Sequence, residues 1–166
     1  MKMLSFLMQD SLVQVSSSNT GEVDKDLVVS RLNYIKNQEN FEWVYSHKVH
    51  YLNIPISFDI ETSSFYEGVA KKAIMYIWTC NVNGTTFIGR TWKQFKQLLD
   101  IISEVFELIK YNKRCLIYVH NLEYEFQFMR KWFDWHDIFA DDKRQPLYAV
   151  TKGGIEFRCS YRLSGY

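Results

Sequence analysis

Apolar positions recur along this chain with two periods, and the changes of period mark its elements. IPISFDI (54–60) is a β-rich run that ends in acidic residues, and KKAIMYIWTCNV (71–82) is a second apolar strand. Asn83-Gly84 carries the chemistry of a type I′ turn, so TTFIG (85–89) is the return strand of a tight hairpin. The period then becomes helical: Trp92, Phe95, Leu98, Leu99, Ile102, Val105, Phe106 and Ile109 fall on one stripe, with Thr91 placed to cap it. CLIYVH (115–120) reads as a further strand, parallel because a crossover helix precedes it. HNLEYEFQFMRKWF (120–133) opens a second helix, and PLYAV, Lys152-Gly153-Gly154 and IEFRCS form another hairpin.

Upstream, SSSNTGEVDKD (16–26) is a polar loop, and Leu27, Val28, Leu32 and Ile35 fit a short amphipathic helix. Phe41, Trp43, Tyr45, Val49 and Tyr51 lie mostly on alternate positions and predict one strand. From Ile54 onward the order is β-β-β-α-β-α-β-β, with an antiparallel meander first. That order predicts an α/β layer fold with a mixed sheet and helices packed on it. The domain with readable chemistry is expected over 54–166, and 1–53 as an N-terminal extension of unread role.

Composition narrows the function. A chain of 166 residues with 47% hydrophobic and 23% charged side chains is sized and balanced for one folded domain, not for disorder. Twenty basic against nineteen acidic residues leave a net charge of +1, which excludes a binder driven by overall positive charge. Contact with DNA must then come from a local patch or from bridging metal ions. Cys80, Cys115 and Cys159 fit no zinc spacing. The apolar run in MKMLSFLMQD is too short for a signal peptide, and no stretch is long enough to span a membrane, so a soluble protein of the cytoplasm (the host cytoplasm, if viral) is expected.

Two segments carry candidate chemistry. In Phe58-Asp59-Ile60-Glu61-Thr62 the carboxylates stand at i and i+2, on one face of a strand that leaves an apolar run. Paired acids near a core repel and lose solvation, so they call for a proton or a cation, and oxygen ligands favour Mg²⁺ or Mn²⁺. Solvated acids at a strand edge are the alternative. In His120-Asn121-Leu122-Glu123-Tyr124-Glu125 a strand ends and a helix starts, and Asn121 and Glu125, four apart, share a helical face. Asn121 as a plain N-cap, with the glutamates opposing the helix dipole, is the competing reading. His120 reads as a packed structural residue. If the two strands are neighbours, Asp59, Glu61 and Glu125 converge, and such a cluster can hold two divalent ions about 4 Å apart.

At these residues the chain resembles the 3′–5′ exonuclease domain of family-B DNA polymerases, most of all the protein-primed enzymes of small bacteriophages. ISFDIETSS is similar to the first exonuclease motif and YVHNLEYEFQF to the second, while IEFRCSYRLSG resembles the strand and turn that follow. The resemblance spans about residues 54–166 and implies a ribonuclease H-like mixed sheet with flanking helices. It also implies proofreading: two-metal hydrolysis of the terminal phosphodiester at the single-stranded 3′ end of DNA, beside the remainder of a polymerase. By position, Asp59, Glu61 and Glu125 would be the catalytic metal ligands, and Thr62 and Asn121 would contact DNA. Phe65 and Tyr66, just past the first motif, would stack on frayed bases or else pack in the core.

The chain departs from that pattern in two places. Glu125 stands where the family usually has Asp, and no Tyr-x-x-x-Asp occurs between Phe126 and Tyr166, so the third motif and its fourth carboxylate are missing. A domain truncated before the third motif is therefore expected, with weak or no activity unless another chain supplies the acid. The alternatives are a catalytically inactive relative that binds single-stranded DNA or docks on a polymerase, and a ribonuclease H-like endonuclease of another family.

Overall fold

In a computed structural model of the chain, residues 12–16, 21–38, 42–110, 112–141 and 145–163 are described. Their elements are β1 (Leu12–Gln14), α1 (Lys25–Lys36), β2 (Trp43–Ser46), β3 (Val49–Leu52), β4 (Ile56–Glu67), β5 (Ala70–Val82) and β6 (Thr85–Gly89). There follow α2 (Trp92–Val105), β7 (Lys113–Val119), α3 (Leu122–Met129), β8 (Trp135–Ala140), β9 (Pro146–Thr151), β10 (Ile155–Cys159) and α4 (Ser160–Leu163). The result is an α/β molecule built on one mixed sheet with few helices.

The main path of that sheet runs β1-β6-β5-β4-β7-β10-β9-β8. β5 is antiparallel to both β4 and β6, which is the expected meander, and its Asn83-Gly84 turn has the two positive φ angles (48° and 88°) of type I′. β7 lies parallel between β4 and β10, and β9 returns antiparallel to β10. Helix α2 makes the crossover from β6 to β7 and is held by a full capping box between Thr91 and Gln94. Its apolar stripe meets the sheet through aromatics: Phe95 stacks on Phe58 of β4 at 4.2 Å and touches Trp78 of β5 at 5.1 Å.

Gly89 ends β6 where the chain passes over Trp78. A Cβ there would fall within van der Waals contact of the indole, which is fully buried and donates to the Thr91 carbonyl at 2.9 Å. Gly89→Ala is expected to destabilise the fold by about 1–3 kcal/mol through overpacking. A urea titration checks this, and an unchanged midpoint would contradict it.

The described residues before Ile54 are woven into the same structure. β1 extends the sheet parallel to β6, and α1 buries Val28, Leu32 and Ile35 in the common core and packs on α2. The single strand expected from 41–51 is instead a hairpin, with β2 and β3 joined at His47-Lys48, both at positive φ (50° and 65°). Phe41 lies outside the described residues. β3 also pairs with the start of β7.

Three further expectations are corrected. The stripe of α2 stops at Val105; Glu107 turns left-handed at φ 52°, so Leu108 is still buried while Ile109 is 77% exposed. Helix α3 ends at Met129 instead of Phe133, and Trp135–Ala140 is an edge strand that the sequence did not announce. Finally, β4 does not stop near Ile60 but continues to Glu67, so β4 and β5 project as a long two-stranded ribbon. The three cysteines are free and buried, and burial pushes the Cys80 thiol up to about 12. Among the described residues no helix is long and apolar enough to cross a membrane.

Candidate functional site

The pairing of β4 with β7 decides what meets at the end of the sheet. Ser57 lies opposite Tyr118 and Phe58 opposite Val119, and there the pairing ends. The next residues are Asp59 on one strand and His120-Asn121 on the other, where β7 gives way to α3. Asn121 caps that helix, its side chain accepting from the Tyr124 N–H at 3.4 Å. The plain capping role is therefore met. His120 is exposed instead of packed in the core, its ring edge-on to Tyr161 at 5.8 Å.

Helix α3 buries Leu122, Glu125 and Met129, spaced three and four apart on one stripe. Glu125 thus occupies a position where the helix period asks for an apolar side chain, and only 4% of it is exposed. Its Oε2 atom is fully buried with no hydrogen-bond partner. Burial first, then the negative charge of Asp59 and a hydrogen bond between the two carboxyls, push Glu125 up to about 9. At neutral pH Glu125 keeps its proton.

A second buried carboxylate shows what a satisfied one looks like. Glu156 of β10, 1% exposed, accepts from Tyr51 Oη at 3.1 Å, Arg114 Nη1 at 2.8 Å and Arg158 Nε at 2.6 Å. That set ties β3, β7 and β10 together. Glu125 has no such donors, only Asp59. Oxygen donors short of a proton suit a hard divalent cation, and Asp59 with Glu125 fits Mg²⁺ or Mn²⁺ in donor type.

Glu61 stands two residues beyond Asp59, on the same face of β4 and exposed. Among the described residues, no group of three His, Cys, Asp or Glu side chains is gathered closely enough to hold a metal ion. Asp59 and Glu125 are brought together, whereas Glu61 is near in sequence and face only.

A β-bulge follows Glu61: Glu61 opposes Ile77, but Thr62 opposes Met75. Past the bulge Thr62 reaches the helix, its Oγ1 lying 2.6 Å from Tyr124 Oη. This contact locks β4 to α3 beside the carboxylates. Tyr124 was not singled out from the sequence, although its place next to Glu125 in a helix of alternating acids and aromatics was the available signal. Phe65 and Tyr66 lie on the ribbon at 43% and 72% exposure, so neither packs in the core.

No family model matches the chain, and no curated protein and no solved structure matches it.

Proposed function

We propose that this chain is a metal-dependent 3′–5′ exonuclease domain of the kind that proofreads for family-B DNA polymerases of bacteriophages. One observation carries the reading: the two segments that resemble exonuclease motifs end on adjacent parallel strands, where Asp59 meets a buried Glu125 that lacks any other partner. The strand order supports a ribonuclease H-like arrangement. β6-β5-β4-β7-β10 has one antiparallel member, β5, and the acids emerge from its central strand, where sheet-end sites of α/β proteins gather.

Asp59 and Glu125 would hold a divalent ion, and Glu61 is placed to join them or to help hold a second. Bound there, such ions supply a water activated near neutral pH and charge neutralisation at the phosphate. The remaining work falls to the chain's own groups. Thr62 and Tyr124, hydrogen-bonded across the bulge, form a polar ledge beside the carboxylates on which a terminal nucleotide can rest. Asn121, exposed at the start of α3, can orient the strand through its amide.

A 5′-labelled single-stranded oligonucleotide incubated with Mg²⁺ or Mn²⁺ is expected to give a ladder of single-nucleotide shortening that EDTA abolishes. Internal cuts would point instead to an endonuclease.

A second reading, a non-catalytic chain that binds single-stranded DNA or docks on a polymerase, draws support from the absence of a three-ligand group among the described residues. It requires no Mg²⁺ dependence. Oligonucleotide binding without a ladder at high protein concentration would favour it.

A further inference from the structure

The projecting ribbon leaves a groove of about 770 Å³ between β5 and the end of α3. Three cations line it, Lys71 from the ribbon and Arg130 and Lys131 from the turn after α3, and no acidic side chain does. Elsewhere on the surface many cations are matched by an acid. Lys93 pairs with Glu22 at 2.9 Å, Lys96 with Asp100 at 2.7 Å, Lys110 with Glu107 at 2.9 Å, and even Lys72, the neighbour of Lys71, pairs with Glu67. Among the described residues, Lys71, Arg130 and Lys131 are paired with no carboxylate.

Aromatic rings stand between these charges. Tyr124 and Trp132 are 40% and 42% exposed, Phe128 lies 5.1 Å from Tyr124, and Lys131 sits 5.6 Å from the Trp132 ring. Tyr66 is opposite Lys71 across the ribbon and shares its face, whereas Phe65 lies on the other face. The groove is also continuous with the carboxylates. Tyr124 lines it, holds Thr62, and immediately precedes Glu125.

We propose that this groove binds single-stranded DNA, the segment just 5′ of the terminal phosphodiester, with phosphates on Lys71, Arg130 and Lys131 and bases stacked on Tyr124 and Trp132. Alternating cations and exposed rings match a polymer of phosphates and planar bases, and bases with a free face are offered by single strands, not by a duplex. The inference rests on the exonuclease reading for its direction, since that reading places the 3′ end at Asp59. It also accounts for DNA binding by a chain of net charge +1, because three cations without an acidic partner are gathered in one groove.

The test is fluorescence anisotropy of a labelled oligothymidylate of about twelve residues, in EDTA so that no cleavage occurs. Lys71→Ala/Arg130→Ala/Lys131→Ala is expected to weaken binding about tenfold or more and to flatten the slope of log affinity against log salt by about 2. Trp132→Ala is expected to cost about tenfold with little change of slope. The control Lys93→Ala/Lys96→Ala/Lys110→Ala, which alters net charge equally, is expected to bind as wild type, and thermal melting establishes that each variant is folded. A groove triple variant that is folded and binds as wild type would overturn the proposal. So would equal competition by an oligoglutamate peptide, which would make the groove a site for an acidic protein segment. Failure of the digestion ladder with these losses intact would sink the exonuclease reading and leave the groove; a ladder with no losses would do the reverse.

Discussion

Replacing Asp59 and Glu61 together with alanine is expected to reduce nucleotide release about a thousandfold or more, to the background of the assay. Both side chains are exposed on one face of β4, so the change removes charge without opening the core. Desolvation, the first cause of the shift, still raises Glu125 without Asp59. One buried carboxyl and no neighbour then cannot retain a divalent ion. Stability should fall as well: without Asp59 the buried Glu125 carboxyl loses its one hydrogen-bond partner, which costs about 1–3 kcal/mol and lowers the melting temperature. Single-nucleotide release and a thermal melt, measured on the same preparation, check both halves. A double variant that still shortens DNA at the wild-type rate would remove β4 from the chemistry.

The second large effect is on stability and concerns Glu125→Gln. The carboxyl is at about 9 in the folded chain against 4.5 for a free glutamate, so between those values the folded state binds a proton that the unfolded state has released. Its contribution to stability is therefore full below about pH 4.5, declines as pH rises, and levels off above about pH 9, with a slope of about 1.4 kcal/mol per pH unit. Between about pH 5 and pH 7 this amounts to roughly 3 kcal/mol, a large part of the stability of an ordinary domain. Gln keeps the shape of the protonated acid and has no charge to lose. In EDTA the variant should match wild type near pH 5 and melt well above it near pH 8. Mg²⁺ or Mn²⁺ should raise the wild-type melting temperature near pH 8 and leave that of the variant in place. Parallel pH–stability curves for the two proteins would mean that Glu125 is not a buried acid.

The central sheet was legible because its strands are buried on at least one face and so keep a strict pattern: Ile56, Phe58 and Ile60 alternate with Ser57, Asp59 and Glu61. The two ends that meet, at Asp59 and at Asn121, were marked by polar residues that follow apolar runs. What failed to show in the sequence is structure without a core behind it. Lys71 to Ile74 were read as part of a strand, but Ser63 to Glu67, their partners in the ribbon, have both faces exposed, so no alternation betrays them. β8 is largely exposed in the same way. The β2–β3 turn was hidden because His47 and Lys48 take left-handed φ without Gly or Asn to announce it. At the site, the spacing of Asn121 and Glu125 was read as a shared helix face. That Glu125 falls on the buried stripe of Leu122 and Met129 was also written there, but only the neighbourhood of Asp59 gives the buried acid its meaning. The groove depends on Lys71 and Arg130, far apart in the chain, lining one cavity, so no local motif could reveal it.

The most direct measurement is a Mn²⁺ titration followed by electron paramagnetic resonance, near pH 8, on wild type, Glu125→Gln and Asp59→Ala. Wild type should take up at least one ion per chain and release a proton as it does so, because the metal replaces the one held by Glu125. Both variants should lose that uptake. Wild-type protein that leaves all Mn²⁺ free at millimolar concentration, or a Glu125→Gln variant that binds as tightly as wild type, would contradict the claim that these two carboxylates form a cation site.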